Sequence, residues 1–149
     1  MASGRGAEHA ANIMGALQEA TRPLSAYDLL EKLRPTGVGA PLTIYRALEK
    51  LIAAGKVHRV ETLNAFVACR HGEHHGHEPA AEAAPRAVGF AICDACGAVE
   101  EFIDGRLFDD LAGALARTGF RPRASTVEVR GRCARCAQGG TDAAAGRSP

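Results

Sequence analysis

Apolar residues recur at helical spacing three times in the first third of the chain. Ile13, Met14 and Leu17 lie on one face of a helix expected over residues 10–20. Ser25 opens S-A-Y-D, an N-cap with an acid three residues later, ahead of Leu29, Leu30 and Leu33. Pro35, Gly37 and Gly39 interrupt the pattern, and Pro41 starts a third helix whose buried stripe is Ile44, Leu48, Leu51 and Ile52, ending at Gly55. Two strand-like runs follow, at 56–61 and 65–69. Residues 70–87 (R-H-G-E-H-H-G-H-E-P-A-A-E-A-A-P-R-A) carry no periodic apolar face and suit a linker. Strands are then expected over 88–92 and 98–102, joined by a turn through C-D-A-C-G. A helix capped by Asp104 has Leu107, Phe108, Leu111 and Leu115 on one side, and a last strand covers 126–129. The residues from 138 onward are small and polar, and are expected to be disordered.

Three helices followed by a two-stranded ribbon is the order of a winged helix-turn-helix. The expected class is therefore α+β: a winged-helix domain over 1–69, a His-rich hinge over 70–87, a small α/β domain over 88–137 and a tail over 138–149.

Length and composition narrow this further. A chain of 149 residues with 46% hydrophobic content holds one medium or two small domains. No apolar run has the length of a membrane span and no signal core begins the chain, so a cytoplasmic protein without a membrane partner is expected. The net charge of +1 excludes a broad basic surface, so nucleic acid would have to meet a local patch. Residues 1–62 carry eight Lys/Arg against six Asp/Glu, whereas residues 88–137 carry seven of each.

The chemistry lies in the cysteines. Cys93-x-x-Cys96 and Cys133-x-x-Cys136 are two C-x-x-C pairs, and Cys69 stands alone. Each pair lets a tight turn aim two thiolates at one ion, and two pairs complete a tetrahedral sulfur shell. Four soft thiolates favour zinc and leave no position open for water, so the site is expected to be structural. An iron–sulfur site, a redox pair and disulfides are the alternatives. His71-Gly-Glu73 before Cys93-x-x-Cys96 loosely matches a zinc-deaminase pattern. Ile92 stands where that pattern has proline, and Cys133 and Cys136 would have no role, so no enzyme and no small-molecule substrate are expected.

On the third helix, Thr43, Arg46 and Lys50 recur opposite the buried stripe and suit a major groove, with Arg46 able to make two hydrogen bonds to guanine. Tyr45 can reach a phosphate, and Lys56 and Arg59 add phosphate contacts from the ribbon. An ordinary solvated helix face is the bland alternative. The absence of an acid between Arg46 and Lys50 on that face favours DNA.

Six stretches in order carry a family resemblance: S-A-Y-D-L-L (25–30), L-T-I-Y-R-A-L (42–48), V-H-R-V-E (57–61), N-A-F-V-A-C (64–69), F-A-I-C-D-A-C-G-A-V-E-E-F (90–102) and G-R-C-A-R-C (131–136). Over residues 10–137 the chain resembles the ferric uptake regulator (Fur) superfamily, and Cys69 with S-A-Y-D-L-L resembles its zinc-sensing (Zur) branch. The resemblance implies a dimerisation role for the second domain, and a homodimer that binds an inverted-repeat DNA operator when zinc-loaded and represses zinc-uptake genes. It also implies a DNA contact at Tyr27 and two zinc ions per chain, one structural and one regulatory.

For the regulatory site, a ribbon turn centred near Leu63-Asn64 would set His58 opposite Cys69, close enough to share an ion. The resemblance adds Glu101 and a hinge histidine. Counting forward from Cys69 gives His77, whereas counting back from Cys93 gives Arg86, so His74 and His75 stand as alternatives. A third site found in some relatives uses a histidine in the last strand. R-P-R-A-S-T-V-E-V has none, so that site is expected to be absent or altered. Competing functions are a sensor of iron, manganese or peroxide, and a zinc-buffering module without an operator.

Overall fold

The computed structural model describes residues 3–70 and 86–139. The chain divides into two compact units, with the division between residues 84 and 85.

The first unit is built on helices α1 (Ser3–Glu19), α2 (Ala26–Leu33) and α3 (Pro41–Ala53) and strands β1 (Val57–Val60) and β2 (Ala65–Ala68). Helix α1 begins at Ser3, seven residues before the expected start at residue 10. Residues 4–8 are exposed and carry no buried face, so hydrophobic periodicity could not reveal them. Ser25 makes the expected capping box: its Oγ accepts from the Asp28 N–H at 3.1 Å, and its own N–H donates to Asp28 Oδ2 at 2.8 Å. The Ser25 hydroxyl also donates to Asp28 Oδ2 at 2.7 Å, and this bond, followed by that from the Ser25 N–H, holds the Asp28 carboxyl below the usual carboxylate range. A depressed value contributes stability above the ordinary 3.8, and the contribution fades as pH falls through the folded value. Ser25→Ala is therefore expected to cost about 0.5–2 kcal/mol at neutral pH, read as a lower denaturation midpoint. A smaller cost is expected at a pH where Asp28 is protonated.

Helix α3 starts with Pro41 in its first turn, where the missing N–H is not needed. Ile44, Ala47, Leu48 and Leu51 are its buried residues, and Ile52 packs half-buried beside them. They meet Ile13, Leu17, Leu24, Leu29, Leu33, Val38, Val57 and Phe66 in one core. A two-way backbone bridge between Leu24 and Phe66 (3.1 and 2.8 Å) ties the ribbon to the segment before α2 and completes the winged helix.

The ribbon register differs from expectation. His58 pairs with Val67, and Cys69 reaches back to Lys56 through its backbone N–H at 2.9 Å. The connection is a 3-10 turn over Glu61–Leu63 closed by Asn64 at φ 46, which centres it earlier than Leu63-Asn64. A shift of two residues keeps every side chain on its face. His58 and Cys69 are therefore diagonal neighbours on one face rather than directly opposed.

The second unit contains β3 (Arg86–Cys93), β4 (Val99–Phe102), α4 (Gly105–Ala116), β5 (Ala124–Gly131) and α5 (Ala134–Gln138). Its sheet has the order β4-β3-β5, antiparallel on the β4 side and parallel on the β5 side. Asp104 caps α4 by accepting from the Leu107 N–H at 3.0 Å. Val88, Phe90 and Ile92 of the central strand are buried with Phe108. Gly89 faces Phe102 across the β3–β4 pair, and a Cβ at that position would run into the Phe102 ring. Gly89→Ala forces the ring out of place and is expected to destabilise this unit by about 1–3 kcal/mol, measured by thermal melting of zinc-loaded protein. Among the described residues, no helix is long and apolar enough to cross a membrane.

Candidate metal centres and DNA-reading helix

The four-cysteine cluster is assembled at one end of the second unit's sheet. Cys93 is the buried last residue of β3. The chain then reverses: the Gly97 N–H donates to the Cys93 carbonyl at 2.9 Å, and the Cys93 N–H donates to Ala98 O at 2.9 Å. Gly97 sits at φ 72, a left-handed conformation that favours glycine. The second pair follows β5, with Cys133 as N-cap of α5 and Cys136 in that helix. Parallel pairing of β3 and β5 brings Cys93 level with Gly131 and so joins the two turns. Asp94 strengthens the joint, its N–H donating to Gly131 O at 2.8 Å and its Oδ1 accepting from Arg130 at 2.6 and 2.8 Å. Because both side chains are well exposed, the ion pair is worth only about 0–1 kcal/mol.

All four sulfurs lie within 4.8 Å of one another, and Cys96 Sγ is 3.8 Å from Cys133 Sγ. A tetrahedron with metal–sulfur bonds of about 2.3 Å has edges of about 3.8 Å, so the cluster has the dimensions of a structural zinc site. The sulfurs are unequal as acids. The backbone N–H of Cys133, 3.3 Å from Cys93 Sγ, and then that of Cys96 bring the Cys93 thiol down to about 6. The Cys96 thiol is also lowered, chiefly by the backbone N–H of Ala98. Arg135 Nη2 approaches that sulfur at 3.9 Å. Cys136 is raised to about 12, first by its hydrogen bond with the Cys133 thiol and then by that with Cys96. Four thiolates cannot coexist here without a cation. Zinc binding must therefore expel the Cys136 proton, and its affinity must fall as pH falls.

In the first unit, His58 on β1 and Cys69 just after β2 offer ligand atoms within 4.8 Å of each other. His58 Nε2 is withdrawn from solvent. An imidazole and a thiolate at this separation are near the span that one ion with bonds of about 2.0–2.3 Å can bridge. Glu101 lies on β4 of the second unit, paired with Phe90. His77, and with it His74 and His75, lies outside the described residues.

Helix α3 presents a face that departs in detail from the expected one. Arg46 and Lys50 are exposed, as is Tyr45 (45%), and Tyr27 on α2 is 72% exposed. Thr43 is half-buried at the edge of the face, since it lies about 100° from Leu42 around the helix. Glu49 is exposed three residues after Arg46, so an acid does share the face. Leu42, 57% exposed, was missed. The same helical spacing places it opposite the buried stripe, although leucine is more often a core residue.

No family model matches the chain. Among curated proteins, it is 38% identical over 116 residues to the zinc uptake regulation protein of Escherichia coli (strain K12), a match covering 77% of this chain. The chain spans 63% of the length of that relative. Among solved structures, holo XcZur is 39% identical with a TM-score of 0.75, covering 87% of this chain and 84% of that one. A zinc uptake regulator complexed with zinc and DNA is 33% identical with a TM-score of 0.76, covering 87% and 81%. The winged helix, the four-cysteine cluster and these likenesses agree, and the chain belongs to the Fur superfamily, in its zinc uptake regulator branch.

Proposed function

We propose that this chain is a zinc-responsive transcriptional repressor rather than an enzyme, acting in the cytoplasm. As a zinc-loaded homodimer it binds an inverted-repeat operator and represses zinc-uptake genes. The observation that carries the reading is the closeness of an imidazole and a thiol on the wing of a winged helix, the ligand atoms of His58 and Cys69 lying within 4.8 Å of each other.

Two zinc ions per chain are assigned. Cys93, Cys96, Cys133 and Cys136 hold the structural ion, and His58, Cys69, Glu101 and His77 hold the regulatory one. The regulatory ligands come from the wing, the 70–87 stretch and the second unit, so ligation ties DNA-binding competence to metal supply. A mixed nitrogen, sulfur and oxygen shell is expected to bind zinc more weakly than four thiolates, as a sensor requires. Tyr27, Thr43, Tyr45, Arg46 and Lys50 make up the DNA contacts, with Arg46 reading a guanine. Domain bounds of 1–69 for DNA binding and 88–137 for dimerisation, flanked by a hinge and a tail, complete the assignment.

The dimer reading is supported by the second unit's surface. Ile103, Leu107, Phe120 and Val129 are exposed large apolar residues, and β5 is an edge strand eight residues long. A strand flanked on one side only among the described residues, beside apolar side chains, invites a second copy of the same chain. Sedimentation equilibrium of the zinc-loaded protein, alone and with an inverted-repeat duplex, tests this. Two chains per molecule, and two chains or a multiple of two per duplex, are expected. A monomer that binds single half-sites would overturn the dimer.

A further inference from the structure

We propose that Leu42 is a base-reading residue whose side chain packs against the 5-methyl group of an operator thymine; this rests on the DNA-binding reading above. Taking the direction of Leu42 as zero and advancing about 100° per residue, the buried Ile44, Ala47, Leu48 and Leu51 centre near 190°. Leu42 therefore points almost straight away from the core, with Arg46 about 40° to one side and Tyr45 about 60° to the other. It lies in the first turn of α3, just after Pro41, and recognition helices meet base edges with their N-terminal residues.

The surrounding surface supports the same reading. The first unit exposes four large apolar or aromatic side chains among its described residues: Tyr27, Leu42, Tyr45 and Leu63. Three of them lie on α2 and α3, in the helix-turn-helix. Leu42 and Tyr45, three apart, form an apolar patch beside the cationic Arg46. In the major groove, thymine is the base that offers an apolar group, and aliphatic side chains meet its methyl. Guanine readout by Arg46 and methyl readout by Leu42 are complementary on one helix face.

The test uses an operator selected from random duplexes by zinc-dependent binding to the wild-type chain. Its thymines are replaced one symmetric pair at a time by deoxyuridine, which lacks only the methyl. Dissociation constants are then measured for the zinc-loaded wild type and for Leu42→Ala. At one symmetric pair, uridine is expected to weaken wild-type binding about tenfold over the two half-sites and to leave Leu42→Ala unchanged. Leu42→Ala should retain the wild-type melting temperature and zinc content, because the side chain is exposed. If every uridine operator binds the wild type as tightly as the parent, the proposal is overturned. The same holds if Leu42→Ala stays as sensitive as the wild type, which would assign the methyl contact to another residue such as Tyr45. Failure to select any operator would instead overturn the DNA-binding reading itself.

Discussion

Cys133→Ser is expected to abolish the structural zinc and unfold the second unit while leaving the first unit folded. Among the described residues, the apolar side chains buried in the second unit are few, namely Val88, Phe90, Ile92, Cys93 and Phe108, and so small a core supplies little stability on its own. A structural zinc contributes about 10–16 kcal/mol in small zinc peptides, against about 5–15 kcal/mol for the whole stability of a typical domain. The ion outweighs what the sheet can offer. Both tyrosines, Tyr27 and Tyr45, are in the first unit and there is no tryptophan, so fluorescence does not report the change. Far-UV circular dichroism and proteolysis mapped onto residues 86–139 do. Unchanged protection of that segment in Cys133→Ser, with one zinc fewer per chain, would show that the sheet stands without its metal.

The thiols set the pH dependence of the same site. Without metal, Cys93 favours folding above the ordinary thiol value of 9.0 and loses that contribution as pH falls toward about 6. Cys136, raised to about 12, favours folding below 9.0 and loses that contribution as pH rises. Zinc reverses the second effect, because it requires the Cys136 thiolate. Calorimetric zinc binding in two buffers of different ionisation heat is expected to show proton release at neutral pH, and weaker binding below about pH 6.

The second large effect is expected at the wing. Cys69→Ala should keep the structural zinc, lose the second ion and no longer strengthen DNA binding when zinc is added. Coupling between an effector and a ligand is typically worth about 1–3 kcal/mol, so the lost zinc response corresponds to about 5- to 150-fold in affinity. His58→Ala should behave alike, since its ligand atom lies beside that of Cys69. Anisotropy titrations at fixed salt, with zinc content measured on the same samples, check both variants. A Cys69→Ala protein that still gains affinity with zinc would remove this residue from the sensor.

Much of this was legible along the chain because the signals are local. The capping box at Ser25 and Asp28, the proline start of α3 and the Asp104 cap each involve residues within four positions of one another. The two C-x-x-C pairs also announce themselves locally, although it is the parallel β3–β5 pairing that brings them together. Features that depend on a partner far along the chain were hidden. Nothing near Gly89 shows that Phe102 will fill the space above it. The ribbon register depended on a turn four residues long, where Asn64 in a left-handed conformation moved the centre. Helix α5, five residues long, is too short to display a period. At α3, wheel geometry alone places Leu42 on the outside and Thr43 at the edge, against the usual burial of leucine.

The most direct test is binding of the full wild-type chain to an A·T-rich inverted-repeat duplex across a wide range of buffered free zinc, at one salt concentration. Tight, saturable binding is expected that rises with free zinc, disappears on chelation and is not reproduced by iron or manganese. Specific binding that ignores zinc, or that answers only to another metal, would contradict it. So would the absence of specific binding at every zinc level.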